Sequence, residues 1–287
     1  MSQNEIPKHV VPHFQKFPFF HIQRIENGQL KMPIPPHRKE EIDFIYLTRG
    51  SSIRSHGLVN YDILPHYMFF LPSGQISQHV YLASDSTGYY GYFHLDLFQK
   101  LFQNRGVLDH FSFLKKHQNP LVYIPSEDQS RIETILEQLL RTYEEKHPEK
   151  GRLWATYLFA LLLEIAPFEP LTPQRKINAT RRIALDYAHL LESRIYDWRK
   201  VSDFADFLQI STDHLNKCAK AVLGKTSQDL LGEMIILEAK VLLQQTNAPI
   251  QEIALQMADS NPSDFARFFK MRTNMSPKDY RKCMTDL

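Results

Sequence analysis

Cysteine is scarce in this 287-residue chain: there are two, Cys218 and Cys283. They form no C-x-x-C pair and no zinc-ligand spacing, so a reducing compartment fits best. Long apolar runs are missing as well. The longest, LFALLLEIA from Leu158 to Ala166, falls well short of the about 20 residues that span a bilayer. The first residues, MSQNEIPKHV, lack the apolar core of a secretion signal. A cytoplasmic protein without a membrane partner is expected, and Asn178-Ala179-Thr180 is then an idle glycosylation match. Net charge is only +2, so charge alone announces no nucleic acid. Its distribution leans slightly: from Thr172 onward, 17 Lys and Arg face 14 Asp and Glu, a net +3, which leaves −1 for the rest. No nucleophile with its base, phosphate loop or paired-acid motif is present, so neither catalysis nor a cofactor is expected. The 13 histidines are scattered. His37, His79 and His94 fall near strands, but His37-Arg38-Lys39-Glu40-Glu41 offers no H-x-H pair, and no metal site is expected.

What is present suits a soluble protein with two domains: 43% hydrophobic and 23% charged residues in a chain long enough for two cores. From Phe17 to about Pro125 the chain is rich in aromatics and punctuated by turn signals, among them Asn27-Gly28, Arg49-Gly50, His56-Gly57, Pro72-Ser73-Gly74 and Thr87-Gly88. Short strands fit between them, as in EIDFIYLTRG, HYMFFLP and GYYGYFHLD, and predict an antiparallel barrel or jelly roll. SRIETILEQLLRTYEEK follows, with Ile132, Ile135, Leu136, Leu139, Leu140 and Tyr143 on one helical stripe that stops at His147-Pro148. A second, more uniformly apolar helix is predicted over about Leu153 to Ile165. The two either cover the barrel or pair with a second copy of the chain, Ile132, Ile135, Leu136, Leu139 and Tyr143 being the candidate dimer contacts. Pro167, Pro170 and Pro173 then resist regular structure. The predicted organisation is therefore α+β: a first domain over 1–170, with a barrel over about 17–125 and helices over about 127–166, a linker over 171–178, and an all-helical domain over 179–287.

The helical part contains an internal repeat. Val201, Phe204, Ala205 and Leu208 correspond to Ile250, Ile253, Ala254 and Met257 at an offset of 49; Leu215, Cys218, Ala219 and Lys220 correspond to Phe265, Phe268, Phe269 and Lys270 at an offset of 50. Thr226-Ser227 then aligns with Ser276-Pro277, and Asp229 with Asp279. Each copy reads as helix, tight turn, helix, with a capped helix after it. Ala205 and Ala254 are small where the helices must cross. Ser211 is a good N-cap, and Ser276-Pro277 joins a cap to proline at the first helical position. This is the helix-turn-helix pattern, whose second helix can enter a DNA major groove. A connecting helix over Ser227 to Gln245, roughly 28 Å long at 1.5 Å per residue, can hold two such helices about one duplex turn apart, roughly 34 Å. Cys218 reads as a buried apolar filler.

With PIQEIALQM, Phe-x-Arg-x-Phe-Lys and Ser-Pro-x-x-Tyr-Arg at this spacing, the stretch from near Thr180 to Lys282 resembles the DNA-binding domain of the AraC/XylS family of bacterial transcription regulators. One departure is that Ala258-Asp259 stand where the family usually has Gly-Phe; glycine alone adopts positive φ cheaply, and Asn261 or Asp259 is the candidate to supply it instead. The resemblance implies base-reading residues at Asp213, Asn216 and Lys217, and at Ser263, Asp264 and Arg267, chemistry that Asn, Lys, Arg and Asp can perform on base edges. Asp213 and Asp264 also sit in first helical turns, where an acid complements the helix dipole without any base. Lys220, Lys270, Lys278, Arg281 and Lys282 are expected on phosphates. The resemblance further implies a cupin-like first domain, in which IPPHRKEEIDFIYLTRGS and HYMFFLPSGQISQHV look like barrel strands, and a dimer. Such a barrel can hold a small-molecule effector of mostly apolar character. The partners implied are double-stranded DNA, an effector, a second copy, and RNA polymerase if the protein activates. The alternatives are a metal-dependent cupin enzyme with a helical interaction module, and a regulator without an effector.

Overall fold

The computed structural model describes residues 19–26, 34–98, 108–116, 118–171, 178–258 and 261–285. The Asn27-Gly28 turn, nearly all of the expected linker and Asp259 lie outside the described residues. The chain divides into two compact units, one of Gln15–His56 and Asn60–Arg175, the other built on Lys176–Leu287.

The first unit is a pair of antiparallel sheets with helices against one of them. Its strands are β1 (Phe20–Ile25), β2 (Ile34–Arg38), β3 (Ile42–Arg49), β4 (Ser52–His56), β5 (Val59–Ile63), β6 (Tyr67–Leu71), β7 (Ile76–Leu82), β8 (Thr87–Phe93) and β9 (Leu121–Tyr123). One sheet runs β1-β8-β3-β6-β9 and the other β2-β7-β4-β5. The jelly-roll expectation is met by these two sheets as an open sandwich. The three stretches that read most clearly as strands, β3, β6 and β8, lie side by side, with Phe44 opposite both Phe70 and Gly91. Gly91 is required there: a Cβ would lie 2.4 Å from the Phe44 ring and 2.6 Å from the His21 carbonyl oxygen.

Strand periodicity sends alternate residues to opposite faces. Phe44, Tyr46, Met68 and Phe70 face helices α1 (Ser126–Glu144) and α2 (Lys150–Ile165), sharing a core with Ile132, Leu136, Leu158 and Leu161. Ile45, Leu47, Phe69 and Leu71 turn the other way and pack with Ile63 of the opposite sheet. The α1 stripe is thus consumed within the protomer. Ile132, Leu136 and Leu139 are fully buried, and Ile135 and Tyr143 pack against the same core. Ile132, Leu136 and Leu139 are therefore spent within the protomer and do not serve as the expected dimer contacts, whereas Ile135 and Tyr143 are only partly buried. Lys150–Phe168 is also, by length and composition, long and apolar enough to cross a membrane, which the shorter run counted in the sequence did not suggest. Its Leu158, Leu161, Leu162 and Ile165 are buried in the core shared with the sheet.

Between the sheets the interior is partly polar. Asp43 of β3 is fully buried and accepts from Arg54 Nη2 of β4 at 3.0 Å, Lys39 Nζ at 3.2 Å and the Tyr90 hydroxyl at 3.2 Å. Arg54, 1% exposed, also donates to Ser77 Oγ at 3.2 Å. Burial alone would raise the Asp43 pKa, but Lys39 and Arg54 outweigh it and hold the carboxyl at about 2. Burial, reinforced by the neighbouring cations, lowers His37 to about 4 and takes His79 well below its ordinary value.

These shifts fix the pH response of this unit. A histidine held neutral when folded takes up its proton on unfolding, so its contribution is full above the ordinary value of 6.5 and is lost as pH falls toward 4. The Asp43 contribution persists through that range and goes only as pH drops from about 4 toward 2. Calorimetry should show the melting temperature of this unit falling between pH 6.5 and 4; a flat profile there would contradict buried neutral histidines.

Candidate nucleic-acid interface

The second unit contains α3 (Ala179–Arg194), α4 (Val201–Phe207), α5 (Thr212–Leu223), α6 (Ser227–Gln245), α7 (Ile250–Ala258), α8 (Pro262–Thr273) and α9 (Pro277–Thr285). Its repeat is visible bond by bond. Ser211 caps α5 by accepting the His214 N–H at 3.1 Å, and Asn261 caps α8 by accepting the Asp264 N–H at 2.9 Å. Helix α5 ends on Gly224 at φ 74° and α8 on Asn274 at φ 60°. Thr226 then caps α6 through the Asp229 N–H, and Ser276 caps α9 through the Asp279 N–H. In both caps the hydroxyl also donates to the same aspartate's carboxylate at 2.6 Å.

The first turn solves its backbone problem without glycine. There Gln209 takes φ 56°. At the same place in the second copy the chain has Ala258. Asn261 is extended, at φ −64°, so it does not supply the positive φ expected of it or of Asp259. The end of α7 is held from outside. Arg199, between α3 and α4, donates from Nη2 to the Gln256 carbonyl and from Nη1 to the Met257 carbonyl at 3.3 Å, and also to Ile195 O at 2.6 Å. These carbonyls have no partner further along the helix, and a guanidinium at a helix C-terminus complements its dipole. Sequence reading missed Arg199 because nothing local marks its role at α7: Gln256 and Met257 lie almost 60 residues away.

Packing decides which side chains α5 and α8 present. Leu215, Cys218 and Ala219 of α5, and Phe265 and Phe269 of α8, are buried. Cys218 is 1% exposed, the filler expected, and both cysteines are free. Asp213, Lys217, Ser263, Asp264 and Arg267 are left exposed, as are Lys220, Lys270, Lys278 and Lys282. Lys217 rests 3.8 Å from Asp213, and Arg267 2.5 Å from Asp264, with the two cationic side chains 77% and 80% exposed. Pairs this open are worth roughly 0–1 kcal/mol, so either cation leaves its acid for another anion at little cost.

Two expected contacts are already occupied. Asn216 is half-buried, and its Oδ1 accepts the Ser227 N–H at 3.1 Å, tying α5 to the first turn of α6; only its amide N–H groups remain for a base. Arg281 donates from Nε to Leu243 O at 3.1 Å and from Nη2 to Ala248 O at 2.6 Å. It holds the end of α6 and is not displayed to a phosphate, which corrects that assignment. Arg272, not singled out in the sequence, lies against Gly232 of α6, where a Cβ would come within 2.6 Å of its guanidinium. In the first unit, no three His, Cys, Asp or Glu side chains converge on a metal-sized site among the described residues.

Twin capped helix-turn-helix units flanking one buried helix define the class: a double helix-turn-helix domain. Residues 204–283 match the family model described as a helix-turn-helix domain. Over 108 residues the chain is 29% identical to YisR of Bacillus subtilis strain 168, an HTH-type transcriptional regulator, covering 38% of each protein. It is 27% identical over 205 residues to SAS0078 of Staphylococcus aureus strain MSSA476, another HTH-type transcriptional regulator, covering 66% of this chain and 27% of the relative. The chain thus spans well under half the length of these curated relatives. Among solved structures, ToxT from Vibrio cholerae O395 aligns with 94% of this chain and 99% of its own at 15% identity and a TM-score of 0.39. Residues 204–283 thus form a helix-turn-helix domain, and the chain is similar to HTH-type transcriptional regulators.

The Arg199 clamp can be tested alone. Arg199→Ala removes charge-assisted bonds to the end of α7 and should destabilise the helical unit by about 1.5–3 kcal/mol in denaturant unfolding, with Arg199→Lys recovering part of it. Unchanged stability in the alanine variant would show that α7 ends securely without the clamp.

Proposed function

We propose that this protein is a transcription regulator that binds double-stranded DNA sequence-specifically through α5 and α8, under the control of a small molecule held between the sheets of its first unit. The observation that carries the DNA reading is the repeated exposure of a long cation at one repeat position, Lys217 and Arg267, on helices whose opposite faces are fixed in cores. In this reading Asp213, Lys217, Ser263, Asp264 and Arg267 face base edges, with Asn216 contributing its amide N–H groups. Lys220, Lys270, Lys278 and Lys282 meet phosphates.

Helix α6 is 19 residues long, roughly 28 Å at 1.5 Å per residue. That length suits two reading helices in successive major grooves of one duplex. Effector control requires unequal affinity for two arrangements of the protein, and the partly polar sandwich interior is the place that favours such a ligand. Association into a homodimer, a cytoplasmic location and contact with RNA polymerase belong to the same reading. With Ile132, Leu136 and Leu139 buried, a dimer would have to rest on other side chains.

Selection of bound genomic fragments, followed by titration of one fragment, tests the proposal. Arg267→Ala and Lys217→Ala should each cost about 1–3 kcal/mol on the preferred site and relax its sequence preference. Lys220→Ala and Lys270→Ala should weaken all sequences alike and lower the salt slope by about one. A double Lys217→Ala, Arg267→Ala variant that keeps its full preference would refute the assigned reading surface.

A further inference from the structure

The buried polar cluster between the sheets is incomplete as it stands. Arg54 spends only Nη2, on Asp43 and Ser77; its Nε and Nη1 are buried without a hydrogen-bond partner. His79, 3% exposed, has both ring nitrogens buried and unpartnered. The two residues sit on adjacent paired strands of one sheet, where Arg54 is directly opposite His79. Buried polar groups are nearly always satisfied, and each one left open costs free energy. A guanidinium with three open N–H groups beside an open imidazole is a high concentration of unmet demand.

The chemistry of that demand is specific. Arg54 can only donate, so whatever completes it must present several acceptor oxygens. The Phe69 ring lies 5.6 Å below the guanidinium, and closes that face to anything polar. Asp43 cannot help further, since it is shared among Arg54, Lys39 and Tyr90. Beyond the cluster the same interior is apolar, lined by Ile45, Leu47, Phe69 and Leu71. Oxygens are wanted at one end and hydrocarbon at the other.

We propose that the effector site of the first unit is a carboxylate site. The carboxylate oxygens accept from Arg54 Nε and Nη1, His79 completes the polar end with one ring nitrogen, and the organic part of the molecule lies toward Ile45 and Phe69. This rests on the reading of the sandwich as the sensing unit and names the class of molecule sensed. Binding changes no covalent bond. It satisfies donors that the free protein leaves open, so the ligand is matched by charge-assisted bonds at the head and by apolar burial along the body.

The test uses the full-length protein with butyrate and benzoate as probes, and butyramide and benzamide as uncharged counterparts of matching shape. Thermal shift and calorimetric titration should show saturable binding of at least one acid at millimolar concentration, and at least about tenfold weaker binding of its amide, the loss expected for about 1.4 kcal/mol. Since Arg54 also anchors Asp43, its loss alone can unfold the unit, so the decisive variants are His79→Leu and the paired Arg54→Met, Asp43→Asn. His79→Leu removes two unmet polar atoms. It should leave the free protein at least as heat-stable as the wild type while weakening the acid about tenfold or more. The paired variant should fold and bind no acid.

Three results would overturn the proposal: no saturable stabilisation by either acid, equal binding of acid and amide, or unaltered binding in His79→Leu. A His79→Leu variant that is clearly less stable would mean that the open nitrogens are met by structural water, and would overturn it too. Binding of the selected DNA fragment is measured in parallel. If it persists when the acids fail, the carboxylate site is wrong and the DNA-binding reading stands; if it is absent from the start, the regulator reading itself has failed.

Discussion

Helix α6 is the constraint on which the helical unit depends. It is buried on nearly every side. Leu230, Leu231, Met234, Ile236, Ala239, Val241, Leu242 and Leu243 are all 6% exposed or less. The Leu, Ile, Met and Val side chains among them contribute roughly 1.5–3 kcal/mol each relative to exposure. Its C-terminal half forms one core with Ile253, Ala254, Met257, Phe265 and Phe269. Its first turn receives the Asn216 side chain and gives the Ser227 carbonyl to the Tyr187 hydroxyl at 2.7 Å. One rigid rod therefore belongs to both copies of the repeat, and the spacing of the copies is a property of its length.

Much of this was legible in the residues. The extent of α6, Ser227 to Gln245, followed from the capped helix expected after Thr226-Ser227 and its need to join the two copies of the repeat. The caps at Ser211 and Ser276 and the small Ala205 and Ala254 could be read because their physics is local: a hydroxyl meets an N–H three residues on, and a crossing needs a small side chain. Strands β3, β6 and β8 were legible for a related reason, since their aromatic-rich runs end at turn residues.

The rest was hidden by distance along the chain. An apolar stripe such as Ile132-Leu136-Leu139 states that a helix must be covered, but not by what; the strands supplied the cover. Arg281 looks in sequence like any basic residue at a helix end, and only the fold brings Leu243 O and Ala248 O to it. The same holds for Arg199 at α7. The interior cluster was the least visible part. His37 and His79 were weighed as metal ligands, whereas Arg54, the side chain that organises the site, belongs to no motif and declares itself only by being buried with three of its five N–H donors open.

The acids beside Lys217 and Arg267 have an electrostatic meaning. Asp213 and Asp264 offset those two cations locally, so the surplus positive charge of the exposed helix faces rests on Lys220, Lys270, Lys278 and Lys282. In the proposed complex with DNA, long-range attraction then comes from these lysines, and Lys217 and Arg267 exchange one weak partner for another only at close range.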